Sequence, residues 1–352
     1  MTKLRDICRF QSGGTPSRGT PAYFNGNVPW ITTVALNGDV IDGNQAIEWI
    51  TGEAIAKSAA KIVPPHSVMV GTRVGIGKVA INSVPMSTSQ DIISLIGIDE
   101  NKWDKKFICH LITANKEHLT SQARGATIKG IKIEAIADLV LPEISLTEQA
   151  RISEVIGKVD ALMHMHQQMA MNLEQLIKSR FIELFGDPET NPKGWTRQRL
   201  DQICENLDSR RVPITSTNRK AGNYPYYGAS GIVDYVKDYI FDEDILLISE
   251  DGANLVMRST PIAFSVSGKV WVNNHAHVVR FESKATQKYI EICFALTDIS
   301  GSITGTAQPK LNQAKLNAMM FCVPPIELQE QFATFVKQTD KSKLCGKMEV
   351  AA

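Results

Sequence analysis

The feature that most constrains this chain is an internal repeat. Leu146-Thr147-Glu148-Gln149 matches Leu328-Gln329-Glu330-Gln331, a displacement of 182 residues (146 to 328). The same displacement carries Phe107-Ile108 onto Tyr289-Ile290 and Leu141-Pro142 onto Val323-Pro324. Near the start it is 196, from Leu4-Arg5-Asp6-Ile7-Cys8 to Leu200-Asp201-Gln202-Ile203-Cys204. Loop insertions between residues 8 and 107 account for the drift. Self-similarity of this kind means one structural plan used twice. A chain of 352 residues is long enough for two domains, each with its own core.

Each copy reads in three parts. A turn-rich β region comes first, with strands expected at Val68-Met69-Val70-Gly71 and Lys78-Val79-Ala80-Ile81-Asn82, then at Asp244–Ser249 and Lys269-Val270-Trp271-Val272. A short helix follows, near 105–115 and 287–296. A Gly/Thr loop then leads through Leu-Val-Leu-Pro or Phe-Cys-Val-Pro into a long helix. The expected class is α+β: two tandem β-rich domains, 1–142 and 187–324, with helical spacers at 143–186 and 325–352.

The first long helix has a start signal in Ser145 or Thr147, with Glu148 in its first turn, and Gly186, Pro188 and Pro192 end it. Its apolar positions are Ile152, Val155, Val159, Leu162, Met169, Leu173 and Leu176, with His166 interposed. Their three- and four-residue steps make a heptad seam. Forty residues of helix span about 60 Å. A seam that long needs cover. The helix beginning at Ile326, with Phe332, Phe335 and Val336, is the expected antiparallel partner. It is shorter, because nothing matches 171–186, and the tail from Cys345 has no heptad continuation, so a weakly packed end is expected there.

The order of these parts resembles a known family. A β-rich domain, a Leu-Pro…Glu-Gln helix, the Phe185-Gly186-Asp187-Pro188 turn, the Gly194-Trp195 restart, a second domain and a Pro-Pro…Glu-Gln helix together resemble the specificity subunit of type I restriction–modification systems. The resemblance covers nearly the whole chain; the shortened distal helix departs from it. It implies that each domain reads one half of a bipartite double-stranded DNA target and that the helices set the gap. It further implies docking of two adenine methyltransferase subunits, which carry S-adenosylmethionine, and of restriction/motor subunits, which use ATP and magnesium. The helix residues Ile152, Val155, Val159, Leu162, Leu173 and Leu176 are the expected docking face. A pseudo-twofold repeat lets one chain present similar surfaces to two identical partners.

Reading DNA takes cations for phosphate and Arg, Asn, Gln or small residues for base edges. In the first domain the candidates are Arg18 in its glycine-rich turn, Arg73, Thr88 and Gln90 in a polar block, and Arg124 and Lys129 in the Gly/Thr loop. Single lysines such as Lys105 and Lys106 are more simply solvated surface charges. In the second domain the candidates are Tyr227 (or a core ring), Asn254, Asn274, His275 and Lys310. His275 and His277, alternating on a strand, would share a face; they suit either base reading or a metal, although no third ligand has diagnostic spacing.

Composition and motif searches exclude much else. Hydrophobic residues are 43% of the chain, charged residues 21%, and the net charge is +1, so this is no nonspecific polycation. No apolar run spans a membrane and no secretory leader stands at the start. The six cysteines lack CxxC spacing and fit free thiols in a reducing cytoplasm. The segment from Gly71 to Val79 has five residues between its outer glycines, not four, and Val79 where a P-loop needs Ser or Thr. Nucleophile-elbow, His-Glu-x-x-His and amino-methyltransferase motifs are absent. No catalytic residue, metal site or cofactor is therefore expected on this chain. Two rivals stand beside the DNA reader. One is a self-contained nuclease using Asp244, Glu250 and Asp251 around a strand, though Gly252 stands where such a site needs lysine. The other is a non-DNA ligand-binding β module, which leaves the duplicated spacer without a reason.

Overall fold

The structure, a computed structural model, describes the backbone of all residues except 39, 126–128, 306, 307 and 352, and the side chains up to 342. The chain forms two compact units, Met1–Leu162 and Met163–Ala352.

The α+β class is what the fold shows, and each unit holds two small sheets built to one pattern, to which the second unit adds a two-stranded pair of Arg197–Arg199 with Met320–Cys322. In the first unit Phe24–Ile31 runs antiparallel to Glu48–Ile50 and parallel to Met86–Thr88, and the latter pairs antiparallel with Ile62–Val63. In the second unit Ala221–Gly228 does the same with Gly231–Val236 and Lys269–Val272, and the latter pairs with Phe241–Asp242. The register corresponds too. Trp30 faces Glu48 and Ser87, and Tyr226 faces Asp234 and Trp271. The other sheet centres on Val68–Gly71 in the first unit and on Ile245–Ser249 in the second. Val68 faces Leu95 and Leu246 faces Val279. These central strands are buried along their length, which is why they read as unbroken apolar runs. The first unit adds the edge strand Val40–Ile41.

The short helices form at Lys105–Ala114 and Lys284–Leu296, capped by the side chains of Asp104 and Ser283. Each buries one face on its unit's core. Among the described cysteines, burial pushes the Cys8, Cys109 and Cys204 thiols up to about 12, so they behave as inert apolar groups.

The long helix spans Leu146–Phe185, and Ser145 Oγ accepts from the Glu148 amide as its cap. Its end is closed by the motif that follows. Gly186 turns at φ +79°, Trp195 Nε1 donates to the Phe185 carbonyl at 2.9 Å, and Lys193 donates to the Glu183 and Leu184 carbonyls. A Cβ on Gly186 would lie 2.6 Å from Pro192 Cγ.

One expectation needs correction. The helix starts correspond at a displacement of 180, not 182. Buried Gln149 donates to the Ile144 carbonyl, as buried Gln329 donates to that of Pro324. Ile152 therefore answers to Phe332, and the Glu-Gln pairs are two residues out of step. The long helix meets its expected partner, the helix beginning at Ile326, through its last turns. Within the second unit its last turns, Ile177, Phe181 and Phe185, join Tyr289, Phe332 and Val336 of the C-terminal region. Four rings lie 4.8–5.5 Å apart. Along the seam Val155, Val159, Leu162 and Leu176 are 45–50% exposed, and Ile152 and Leu173 are half-buried. The C-terminal helix, Ile326–Ala351, is indeed shorter; the side chains of its tail, Cys345 included, lie outside the described residues.

Removing one ring from the aromatic cluster leaves a cavity among rigid neighbours. Phe181→Ala should cost the second unit about 3–5 kcal/mol in urea unfolding, and Val159→Ser on the exposed seam less than about 0.5 kcal/mol. Equal losses would mean that the cluster is not what anchors the helix.

Candidate nucleic-acid interface

In each unit three backbone segments meet at one edge. In the first, the Thr72 amide donates to the Asp91 carbonyl at 2.8 Å, and the Thr72 carbonyl accepts from the Ile131 amide at 2.8 Å. Arg124 and Gly130 exchange backbone hydrogen bonds and close the loop between them. In the second unit the Glu250 amide donates to the His275 carbonyl at 2.9 Å, and its carbonyl accepts from Leu311 at 2.8 Å. Thr304 and Lys310 close the corresponding loop. This clasp gathers Arg73, Gln90, Arg124 and Lys129 in one unit and Asn274, His275 and Lys310 in the other, all exposed.

The two edges share a backbone and differ in charge placement. Arg73 reaches toward Asp91 at 3.6 Å, and Gly130 leaves it room, since a Cβ there would lie 2.8 Å from Arg73 Cγ. At the corresponding places the second unit has Asp251, bonded to His275 Nδ1 at 2.9 Å, and Lys310, which reaches Glu250 at 3.1 Å. The strand end thus carries a cation, Arg73, in the first copy and a carboxylate, Asp251, in the second.

Beneath the second edge lies a buried ion network that no spacing in the sequence announces. His277 Nδ1 meets Asp208 at 2.6 Å and its Nε2 meets the Leu311 carbonyl at 2.7 Å. Arg211 bonds Glu250 at 2.5 Å and lies 3.3 Å from Asp208; the Val278 amide donates to Asp208 at 2.8 Å. Burial works to raise both carboxyls. For Asp208 it is outweighed by the His277 hydrogen bond and charge, the Val278 amide and Arg211. For Glu250 it is outweighed by Arg211, the charge of His277 and Lys310. Both therefore sit below the usual carboxylate range. Asp208, Glu250 and His277 lie close enough to hold a cation. Every candidate ligand atom is already committed to a hydrogen bond or a cation, however, so the cluster is a strut and not an open metal site.

Several candidate residues sit differently from expectation. Thr88 is 0% exposed and faces the interior, so it has no surface from which to touch a base. Asn254 spends its amide on the following turn, donating to the Thr260 carbonyl and accepting from the Ser259 hydroxyl and the Thr260 amide. A bidentate adenine contact would break those bonds, so Asn254 is a turn-former. His275 precedes the strand and His277 is buried on it, so the pair shares no face. Tyr227 is half-buried beside Phe264, and burial raises its hydroxyl. Arg18 lies on the other sheet, stacked over Phe24 and Trp30 and bonded to Glu48. The carboxylates of the nuclease reading stand at opposite ends of Ile245–Ser249, and each has its own partner: Lys284 for Asp244, Arg211 and Lys310 for Glu250, the His275 ring for Asp251. They converge on no site. No described helix is long and apolar enough to cross a membrane.

Two like units with like edges, joined by one long helix, are the pattern that comparison with known proteins identifies. The family model described as the type I restriction modification DNA specificity domain matches residues 1–175 and again 192–346. The chain belongs to this family. It is 24% identical to the type I restriction enzyme MjaIX specificity subunit of Methanocaldococcus jannaschii, over 96% of this chain and 85% of that one. It is 23% identical to the type I restriction enzyme EcoprrI specificity subunit of Escherichia coli, over 96% and 86%. The crystal structure of a type I restriction–modification S subunit from M. genitalium shares the fold, with a TM-score of 0.60 at 16% identity over 99% and 91%. The nuclease alternative gains nothing from these comparisons; the family is one of DNA specificity subunits.

The buried network predicts acid sensitivity. The unfolded carboxyls bind protons near pH 4, whereas folded Asp208 and Glu250 bind them only at lower pH. Between those values the unfolded chain holds more protons, so stability falls as pH falls. Asp208→Asn should lose about 3–5 kcal/mol at pH 7, by stranding buried cations, and should show a flatter melting profile below pH 5 than the parent. Parallel profiles would contradict the assignment.

Proposed function

We propose that this chain is the non-catalytic DNA-reading subunit of a type I restriction–modification assembly. Residues 1–142 read one half of a bipartite duplex target and 187–324 read the other, while 143–186 and 325–352 act as spacers. What carries this reading is the duplicated clasp: one backbone frame used twice, with different exposed side chains on it. Such a frame can hold two unlike recognition surfaces in a like pose.

Base and phosphate contacts on the first half-site fall to Arg18, Arg73, Gln90, Arg124 and Lys129. On the second they fall to Tyr227, Asn274, His275 and Lys310. Arg73 and Gln90 flank the clasp closely enough to read base edges, and the loop cations suit phosphates. The exposed seam at Val155, Val159 and Leu162 offers apolar surface for methyltransferase subunits, two by the symmetry of the repeat. Adenine methylation then occurs on those partners with their S-adenosylmethionine, on a base flipped from the stack. Restriction/motor subunits supply ATP- and magnesium-dependent work. This chain carries no cofactor or metal of its own in that scheme and works in the cytoplasm.

The test is selection of bound duplexes from a random pool, using the chain co-purified with its methyltransferase subunit. Two short motifs at a fixed gap are expected. Binding without any motif, or DNA cleavage by the chain alone with magnesium, would refute the proposal. Arg73→Ala should weaken discrimination by about 1–3 kcal/mol at one half-site and leave the other unchanged. Removing two turns of helix between 155 and 170 should alter the preferred gap but not the half-site letters.

A further inference from the structure

The first sheet of each unit carries the same three-part arrangement. In the first unit Trp30 and Glu48 face each other across adjacent strands, and the Arg18 guanidinium lies 5.7 Å from the Trp30 ring and 5.0 Å from that of Phe24 while bonding Glu48. In the second unit Tyr226 and Asp234 face each other at the corresponding register, and Arg219 lies 4.5 Å from the Tyr226 ring with Asp234 at 3.2 Å. Arginine, carboxylate and aromatic thus recur in one geometry with none of the three drawn from matching sequence.

The two copies differ in what the guanidinium has left to offer. Arg219 spends Nε on the Ile214 carbonyl and Nη1 on Asp234, and its side chain is 21% exposed, so it pins the fold. Arg18 is 61% exposed, and among the described residues only its Nη1 is bonded, to Glu48. Its turn is fixed from below. Trp30 Nε1 donates to the Gly14 carbonyl at 3.1 Å, the Gly14 amide donates to the Thr88 carbonyl, and Gly13 donates to Ile92. No side chain fits at either glycine: a Cβ on Gly13 would meet the Ser89 carbonyl at 2.1 Å, and one on Gly14 that of Ala59 at 2.1 Å. Glu48 Oε2 is buried with no hydrogen-bond partner among the described residues, and a buried carboxylate oxygen left so carries an energetic cost.

We propose that Arg18 reads a guanine edge in the first half-site and that Glu48 is the positioning residue that aims it. This rests on the DNA-reading function proposed above. A guanidinium held over two rings, with Nε and Nη2 unbonded among the described residues, has two parallel donors that match guanine O6 and N7. A phosphate is the poorer fit, because the Glu48 carboxylate repels an anion at that position but not a neutral base edge.

The experiment takes the bipartite site selected by the parent complex and measures competition against all four base pairs at every position of the first half-site. Arg18→Lys keeps the charge and loses the fork; Glu48→Gln keeps the size and loses the charge; Glu48→Asp guards against a folding defect. Arg18→Lys and Glu48→Gln should both flatten the preference at the same single G·C pair, by about 10-fold or more, with the second half-site unchanged. At that pair Arg18→Ala with Glu48→Gln should lose no more than Arg18→Ala alone, because Glu48 acts only through Arg18. The inference falls if Glu48→Gln stays folded and leaves the preference intact. It also falls if the variants weaken all sequences equally, the mark of a phosphate contact. Failure of the parent to select any two-part site would instead overturn the function itself.

Discussion

The main-chain clasp at Thr72 and at Glu250 is the constraint on which the rest of each unit depends. One residue at the end of a buried strand gives its amide to the turn before the neighbouring strand and its carbonyl to the closing loop. Both groups are deep enough that leaving them unpaired would be costly, so the three segments meet whatever side chains they carry. Recognition by variable side chains requires a frame of this kind. Hydrogen bonds between backbones are indifferent to side-chain identity, so the edge can change its letters without changing its pose.

The side-chain layer beneath the clasp shows how the copies diverged while the frame held. The first unit places Thr72 at the clasp, and its hydroxyl adds a bond to the Asp91 carbonyl at 3.0 Å. The second places Glu250 there, and a buried carboxylate cannot stand alone. Arg211, His277, Asp208 and Lys310 follow from that one choice, because each offsets the charge or the hydrogen-bonding demand of another. The first unit meets the same space with apolar packing: its counterpart of His277, by register against the central strand, is Ile93. An ion network and a hydrocarbon core thus support the same outer geometry, and they impart different sensitivities to acid.

What the sequence disclosed, and what it withheld, divides along the range of the interactions. Local periodicity located the long helix at Leu146–Phe185 and strands such as Val68–Gly71 and Lys269–Val272, because burial on both faces or a heptad seam leaves its mark within a few residues. The repeat disclosed the two-copy plan. Side-chain partnerships across dozens of residues were not legible. Asp208 meets His277 across 69 positions and Arg18 meets Glu48 across 30, and no spacing rule links them. Thr88 was misjudged because a polar block, Thr88-Ser89-Gln90-Asp91, between apolar runs reads as a surface turn. Here it ends a buried strand, with its hydroxyl unpartnered among the described residues. Asn254 was misjudged because turn chemistry and base reading call on the same amide.

The helix register shows why repeated letters are a weaker guide than repeated contacts. Leu-Thr-Glu-Gln and Leu-Gln-Glu-Gln align by eye, yet the buried glutamine of the second copy is Gln329 and not Gln331. What recurs is a glutamine amide that returns to the chain just before the helix and closes its entry, at Ile144 in one copy and Pro324 in the other. A two-residue shift on a helix rotates a side chain by about 200°, so the lettered alignment would place the wrong face of the C-terminal helix on the core. With Gln329 as the anchor, Phe332 and Val336 fall inward onto Phe181 and Tyr289, as they must for the aromatic cluster to close. The capping contact thus decides which face is apolar and where the end of the long helix is held, and the letters matched by eye decide neither.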